Sequence, residues 1–284
     1  HKGHIEYLEN SIHLFKCENG HEFEISNSNF YGRLREGTPL CTTCNPIGDN
    51  RSIKEKNLFE FIQSNYNLEI VKSYRDRYEI DIYLPDIKLG LEFNGLYWHS
   101  DKFVDKNYHY NKTKYFNERG IDIFHIWEDD WINKEDIVKS MILNKIGKKC
   151  KDAGLELLYH NHDFEFKKNS KGVVPMDYFL THVDPQLVNF QMDLYWVTKA
   201  GVDPVSYFEK YPGRFIIWHV KDMDKQGRFA PVGEGTIDFA RILAKKELSG
   251  MKYYIVEQDM TFDGMQAMQA VEISHKGLKK FGFK

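Results

Sequence analysis

Four short β-rich runs in the second half of the chain limit its folds more than any other feature: residues 155–160 (LELLYH), 188–193 (VNFQMD), 215–219 (FIIWH) and 253–257 (YYIVE). Each ends on a polar residue, and the spacings between His160, Asp193, His219 and Glu257 are 33, 26 and 38 residues. That is the size of a β-α unit, and ligands at the C-terminal ends of successive parallel strands are how a (β/α)8 barrel builds its site. An Asp, a His and a Glu converging there make a divalent-metal site of mixed oxygen and nitrogen ligands, open to Mn2+, Mg2+, Co2+ or Zn2+. Any one of these residues alone is more often structural; their conjunction carries the reading. A whole barrel takes about 250 residues, whereas the 138 from Gly147 onward supply the last four units. A four-strand remnant leaves two sheet edges and a cut core.

The first half carries a different pattern. Tyr78, Ile80, Ile82 and Leu84 alternate with Glu79, Asp81 and Tyr83; after Pro85-Asp86, Leu89, Leu91 and Phe93 alternate with Gly90, Glu92 and Asn94. This predicts a β-hairpin with one apolar face. Pairing Leu84 with Leu89 sets Ile82 opposite Leu91, Asp81 opposite Glu92 and Glu79 opposite Asn94. Like charges directly opposite are destabilising unless a cation sits between them, and Mg2+ suits carboxylate oxygens and a scissile phosphate. The plainer reading is a solvated strand face.

Beyond Asn94 the chain reads Gly95-Leu96-Tyr97-Trp98-His99. From Asp81 through Trp98-His99, and again over 124–131 (FHIWEDDW), it resembles the very-short-patch-repair (Vsr-like) endonucleases of the PD-(D/E)XK superfamily, closest to the phage homing type. That resemblance covers residues 17 to about 146. It implies Asp81 as magnesium ligand, Glu55 as a further acid, His99 as base or water-orienting imidazole, and Tyr97 and Trp98 as DNA-wedging aromatics; the hairpin register adds Glu92, opposite Asp81, to the catalytic acids. Asn94 stands where the superfamily commonly has Lys. Glu55 has a rival role, closing a capping box with Ser52, and Glu60 is a second candidate acid. His109 and His125 read as packing or hydrogen-bonded residues.

Ahead of this segment, Cys17, His21, Cys41 and Cys44 can complete a tetrahedral Cys3His zinc site in a short module too poor in apolar residues to fold without a staple. It resembles zinc ribbons that precede such nuclease cores, which implies Lys16, Arg33 and Arg35 as phosphate contacts. A purely structural knuckle fits equally well, and a redox dithiol fits less well.

In the second half, 159–166 (YHNHDFEF), 193–196 (DLYW), 219–222 (HVKD) and 232–235 (VGEG) resemble the sugar phosphate isomerase/epimerase family of xylose isomerase-like TIM barrels. The resemblance implies Asp193, His219 and Glu257 as ligands of a divalent metal such as Mn2+, His160 or His162 beside the substrate, and Lys221 polarising it. The implied chemistry is proton transfer beside a carbonyl through a metal-stabilised enediolate. Where many relatives have a carboxylate at the end of the strand holding Tyr159 and His160, this chain has none.

Composition decides less. The net charge of −3 divides into 19 Lys/Arg against 24 Asp/Glu over residues 1–146 and 20 against 18 over 147–284, so the basic footprint usual for a DNA binder is absent. Four cysteines favour a reducing compartment over a disulfide scaffold. Without a long apolar run or signal peptide, a cytoplasmic location is expected, in a host cell if the chain is phage-encoded. The first residue, His1, is that expected of a fragment.

The sequence therefore reads as an α/β chain in three parts: a zinc-ribbon module (1–46), a PD-(D/E)XK/Vsr-like nuclease core (47–146) and the last four β-α units of a TIM barrel (147–284). No linker separates the last two, and NKIGK at 144–148 suits either, so two unrelated sequences joined there are expected. The favoured activity is metal-dependent cleavage of double-stranded DNA. The alternatives are a sugar isomerase or epimerase, completed by a homodimer of half-barrels, and a zinc-stapled binding protein without turnover.

Overall fold

The computed structural model describes residues 12–18, 20, 22–36, 40–41, 53–95 and 107–283. It divides into two compact units, His1–Asn57 and Leu58–Lys284.

In the first unit, β1 (Ile12–Lys16) and β2 (Glu22–Ser26) form an antiparallel pair, followed by α1 (Asn27–Glu36). Phe23, Ile25 and Cys41 are its buried core, and Phe15, Cys17, Phe30 and Leu40 pack around them. Helix α2 (Ile53–Asn65) carries the expected apolar spacing, and its buried residues Leu58, Phe59 and Ile62 belong to the second unit.

The second unit holds two four-stranded sheets. The first contains β3 (Val71–Arg75), β4 (Glu79–Leu84), β5 (Leu89–Asn94) and β6 (Asp122–Trp127), in the order 3-4-5-6. The β4–β5 ladder pairs Ile82 with Leu91, Tyr83 with Gly90 and Leu84 with Leu89, in the register read from the sequence. It does not extend to the expected pairs Asp81–Glu92 and Glu79–Asn94. A second difference concerns the polar face. All six residues of β5 are buried. On one side Leu89, Leu91 and Phe93 join the main core, and on the other Gly90 meets Ile80 and Ile123, which pack with Phe116 of α3 (Tyr108–Asn117). A central strand between two layers of packing cannot keep a solvated face.

After β6 come α4 (Glu128–Asn133) and α5 (Glu135–Asp152). The presumed junction lies inside α5, which runs through it as one helix. Its two sides serve different neighbours. Lys145 and Lys149 reach Asp122 of β6 at 2.6 and 3.3 Å. Elsewhere on the helix, Asn144 accepts the Asp184 N–H at 2.8 Å, and Gly147 lies so close to Leu187 that a Cβ would sit 2.5 Å from its carbonyl oxygen. One buried core, from Leu58 to Phe283, includes residues of both sheets and of α5.

The second sheet has four parallel strands in the order β12-β9-β8-β7: β7 (Leu157–His160), β8 (Val188–Asp193), β9 (Phe215–Val220) and β12 (Tyr253–Val256). Between them run α6 (Pro175–His182), α7 (Leu194–Lys199), α8 (Pro204–Lys210), the small pair β10 (Asp222–Met223) and β11 (Phe229–Ala230), α9 (Phe239–Leu243) and α10 (Lys246–Ser249); α11 (Ala267–Phe281) follows β12. Val188, Phe190 and Met192 of β8 and Trp218 and Val220 of β9 are fully buried, while Asn189, Gln191, Ile217 and His219 alternate with them and are only half-buried. On the edge strand, Tyr253 and Ile255 of the same alternation are exposed. This is the geometry of half a barrel, with one face covered by helices and the inner face open.

Candidate active site

The carboxyl ends of these parallel strands bring five side chains together. Asp193 ends β8 and caps α7: its Oδ1 accepts the backbone N–H groups of Tyr195 and Trp196, each at 3.0 Å. That leaves Oδ2 facing the strand ends, 3.8 Å from His160 Nε2, 3.7 Å from His219 Nδ1 and 3.1 Å from Lys221 Nζ. Asn161 fixes the same residue from its backbone side, with Oδ1 accepting the Asp193 N–H at 3.0 Å. Glu257 Oε2 lies 2.5 Å from His219 Nδ1 and 2.8 Å from Lys221 Nζ.

Burial and mutual pairing set the electrostatics of the cluster. Burial pushes the Asp193 carboxyl up to about 6, against the downward pull of Lys221. Burial, reinforced by His219, drops His160 to about 3, so its imidazole is neutral and able to ligate. The close contact of His219, with Lys221, holds Glu257 down at about 2. Burial opposes the charge of Lys221, but Asp193, Glu257 and Asp259 outweigh it and keep its pKa above the ordinary value. Asp193 Oδ2, His219 Nδ1 and Glu257 Oε2 are buried close together, yet none makes a hydrogen bond of good geometry. Lys221 offsets their charge at 2.8–3.1 Å, and ligand atoms so clustered without well-formed hydrogen bonds are also what a divalent ion satisfies. His160, Asp193 and His219 place ligand atoms within 4.8 Å of one another, the one such group among the described residues. Glu257 attaches to it through His219, and His160 stands at the strand end where the sequence lacks a carboxylate.

Three supporting residues were not singled out from the sequence. Asp259 takes Lys221 at 2.9 Å; its signal was the alternation with Glu257 along one chain direction. Glu165, buried, accepts the Tyr159 hydroxyl and the His162 N–H, each at 2.9 Å, and so shapes the 159–166 turn. Asp222 gathers the N–H groups of Met223, Gly233, Gly235 and Ile237 at 2.8–3.1 Å, folding the VGEG segment back beside Lys221. His162 stacks on Phe164 and lies near Trp196.

The other expected site residues are arranged differently. Glu92 is buried with Oε2 2.5 Å from Lys112 Nζ of α3, so an ammonium already provides the positive charge expected of Mg2+. Burial and Asp81 push Glu92 up to about 8, with Lys112 pulling against them. Asp81 accepts the Phe93 N–H at 2.8 Å. His125 is hydrogen-bonded to Thr113 (2.8 Å) and Asn94 (3.2 Å), and His109 packs edge-on against His125 and Trp127. Glu55 lies in the first turn of α2, and Glu60 is exposed. Lys16 pairs with Glu22 at 3.9 Å on β1–β2, and Arg33 and Arg35 lie in the last turn of α1. Tyr97, Trp98, His99, His21 and Cys44 lie outside the described residues.

Four parallel strands alternating with helices, with polar side chains converging at their carboxyl ends, make the arrangement of a half-barrel and its site. Comparison with known proteins agrees: residues 134–270 match the model of the Xylose isomerase-like TIM barrel family. Inosose dehydratase from Lacticaseibacillus casei is 26% identical over 156 residues, 48% of this chain and 50% of that protein. Inosose dehydratase from Clostridium tetani is 28% identical over 169 residues, 52% of this chain and 53% of that protein. Among solved structures, a sugar phosphate isomerase/epimerase from Parabacteroides distasonis shares 29% identity with a TM-score of 0.47, over 52% of this chain and 55% of that one. The chain spans about half the length of the curated relatives it matches. The family match and the inosose dehydratase relatives overturn the endonuclease reading of the sequence and favour its sugar-enzyme alternative. No helix among the described residues is long and apolar enough to cross a membrane.

Proposed function

We propose that residues 147–284 form the metal- and substrate-binding half of an isomerase- or dehydratase-type enzyme acting on a polyhydroxylated carbonyl compound, a ketose or an inosose. The observation that carries this is the convergence of Asp193, His219 and Glu257, with Lys221 among them, at the ends of adjacent parallel strands. Isomerisation, epimerisation and dehydration next to a carbonyl share one step, removal of a proton from the adjacent carbon. A divalent metal, when bound, acts as a Lewis acid on such a carbonyl. Asp193, His219, Glu257 and the neutral His160 hold it; Mn2+, Mg2+, Co2+ and Zn2+ all suit these ligands. Lys221 donates to the substrate oxygen that gains negative charge. His162 and Trp196 border the substrate. A second copy of the chain, as a homodimer, supplies the four further strands a closed barrel needs.

Proton NMR in D2O tests the reading. With Mg2+ added, the chain should exchange the hydrogens beside the carbonyl of inosose or fructose, and Asp193→Asn should abolish exchange. A strictly monomeric chain with no metal-dependent exchange contradicts the proposal.

For the N-terminal unit we infer a structural zinc ion on Cys17, His21, Cys41 and Cys44, supported by the seating of Cys17 and Cys41 on one small core. Native mass spectrometry should find one zinc per chain. We retain 1–46, 47–146 and 147–284 as the division by origin, while cleavage by a protease within α5 is expected to be slow because the helix belongs to a continuous core.

A further inference from the structure

Beside the metal-type centre, the loops that follow β9 and β12 enclose a cavity of about 360 Å³. Gln258, next in the chain after Glu257, lines it. So does Phe229, whose ring centroid is 5.9 Å from Lys221 Nζ. Two of its walls thus adjoin the centre described above.

The charges around this cavity are partly paired and lean negative. Arg228 donates from Nε to Asp224 Oδ2 at 2.7 Å, and its Nη2 lies 3.3 Å from Asp263 Oδ2 on the opposite loop. Its guanidinium also stands 4.8 Å from the Phe262 ring centroid. The arginine therefore ties the two loops together and has its charge already engaged. Asp263 holds its loop at φ 57°, a left-handed conformation that Asp adopts more readily than most residues. Lys225 and Arg228 face Asp224, Glu234 and Asp263, a surplus of carboxylates. An incoming phosphate would meet three carboxylates with Lys225 alone to offset them, because Arg228 is already engaged. Among the uncharged lining residues, Thr236, Thr261 and Gln258 offer hydroxyl and amide groups beside the rings of Phe229 and Phe262, with Ala230, Pro231 and Met265 completing the apolar wall. A few convergent hydrogen-bonding groups on an aromatic wall suit the hydroxyls and C–H faces of a polyol.

We propose that this cavity is a specificity subsite that accepts the uncharged, hydroxyl-rich end of the substrate and rejects a phosphorylated end. The proposal rests on the isomerase or dehydratase reading of the adjoining centre, but its binding test does not depend on turnover.

Saturation-transfer NMR on the full chain, with and without Mn2+, compares myo-inositol with myo-inositol 1-phosphate; the metal-free arm removes phosphate held directly by the ion. Without metal, myo-inositol should bind at least about tenfold more tightly than its phosphate. Phe229→Ala should weaken myo-inositol by about tenfold while leaving Mn2+ affinity, read by electron paramagnetic resonance, unchanged. Asp263→Asn removes a surface carboxylate and loosens Arg228, so the preference should narrow about threefold. Tighter binding of the phosphate without metal, or myo-inositol binding indifferent to Phe229→Ala, overturns the subsite. Loss of Mn2+ binding alone would count against the metal centre; Phe229-dependent inositol binding would still support the subsite.

Discussion

Glu92–Lys112 and Asp193–Lys221 are two buried carboxylate–ammonium pairs in one compact unit, and they differ in what surrounds them. Glu92 sits within a strand buried on both faces and is matched by Lys112 from the helix above it. Asp193 sits where a strand gives way to a helix; one oxygen closes the helix start, and the other faces His160, His219 and Lys221. Burial raises both carboxyl pKa values. A perturbed acid is therefore weak evidence of a site by itself. The strand end decides, because several elements can deliver ligands there at once.

The largest contrast should come from the lysines. Above pH 8, where Glu92 is ionised, Lys112→Met leaves a buried carboxylate unpaired and should cost about 3–5 kcal/mol in denaturant unfolding. Lys221→Met should cost less than half of that when Mn2+ is present, since the ion takes over neutralisation of Asp193 and Glu257. Equal losses would mean that the Asp193 cluster is an ordinary ion-pair network. Glycine contacts give a smaller effect. At Gly147 an added Cβ meets the Leu187 carbonyl oxygen at 2.5 Å, backbone that cannot step aside, whereas at Gly90 the nearest atom, at 2.6 Å, is the end of the Ile123 side chain. Gly147→Ala should therefore destabilise by about 2–3 kcal/mol and Gly90→Ala by about 1–2 kcal/mol, read as shifts in unfolding midpoint. The reverse order would show that α5 is not seated against the half-barrel as described.

A pH series sharpens the comparison further. The Glu92 carboxyl is raised above its unfolded value of 4.5 to about 8, so its contribution to stability is present below pH 4.5 and is lost as pH rises through 8. Glu92→Gln, neutral throughout, should gain stability relative to the parent chain between pH 5 and about 9. A difference independent of pH would mean that Glu92 is ionised across the whole range.

Much of the half-barrel was legible in the sequence. The run VNFQMD is β8 residue for residue, and β9 ends one residue beyond the expected strand, because a parallel strand covered by helices advertises itself as a dense apolar run closed by a polar residue. The hairpin register was legible too, since slipping it by one residue would turn Leu91 out of the core. The cover over β5 was not. Whether Glu92 faces water, a metal or a lysine depends on α3, which lies twenty residues away at Lys112 and leaves no mark on the local alternation. Nor was the double use of α5. Its two faces are set by Asp122 on one side and Leu187 on the other, partners that a helical period cannot name. The nuclease-like spacing of acids was real as a pattern, but a pattern of acids does not say which cation compensates them.

The most direct test of this account is Mn2+ titration, followed by electron paramagnetic resonance, of the parent chain, Asp193→Asn and Glu92→Gln side by side. Asn retains a cap for α7 while removing the charge. The account predicts one tight Mn2+ per chain, retained in Glu92→Gln and lost in Asp193→Asn. A tight ion that survives Asp193→Asn and disappears with Glu92→Gln would contradict it.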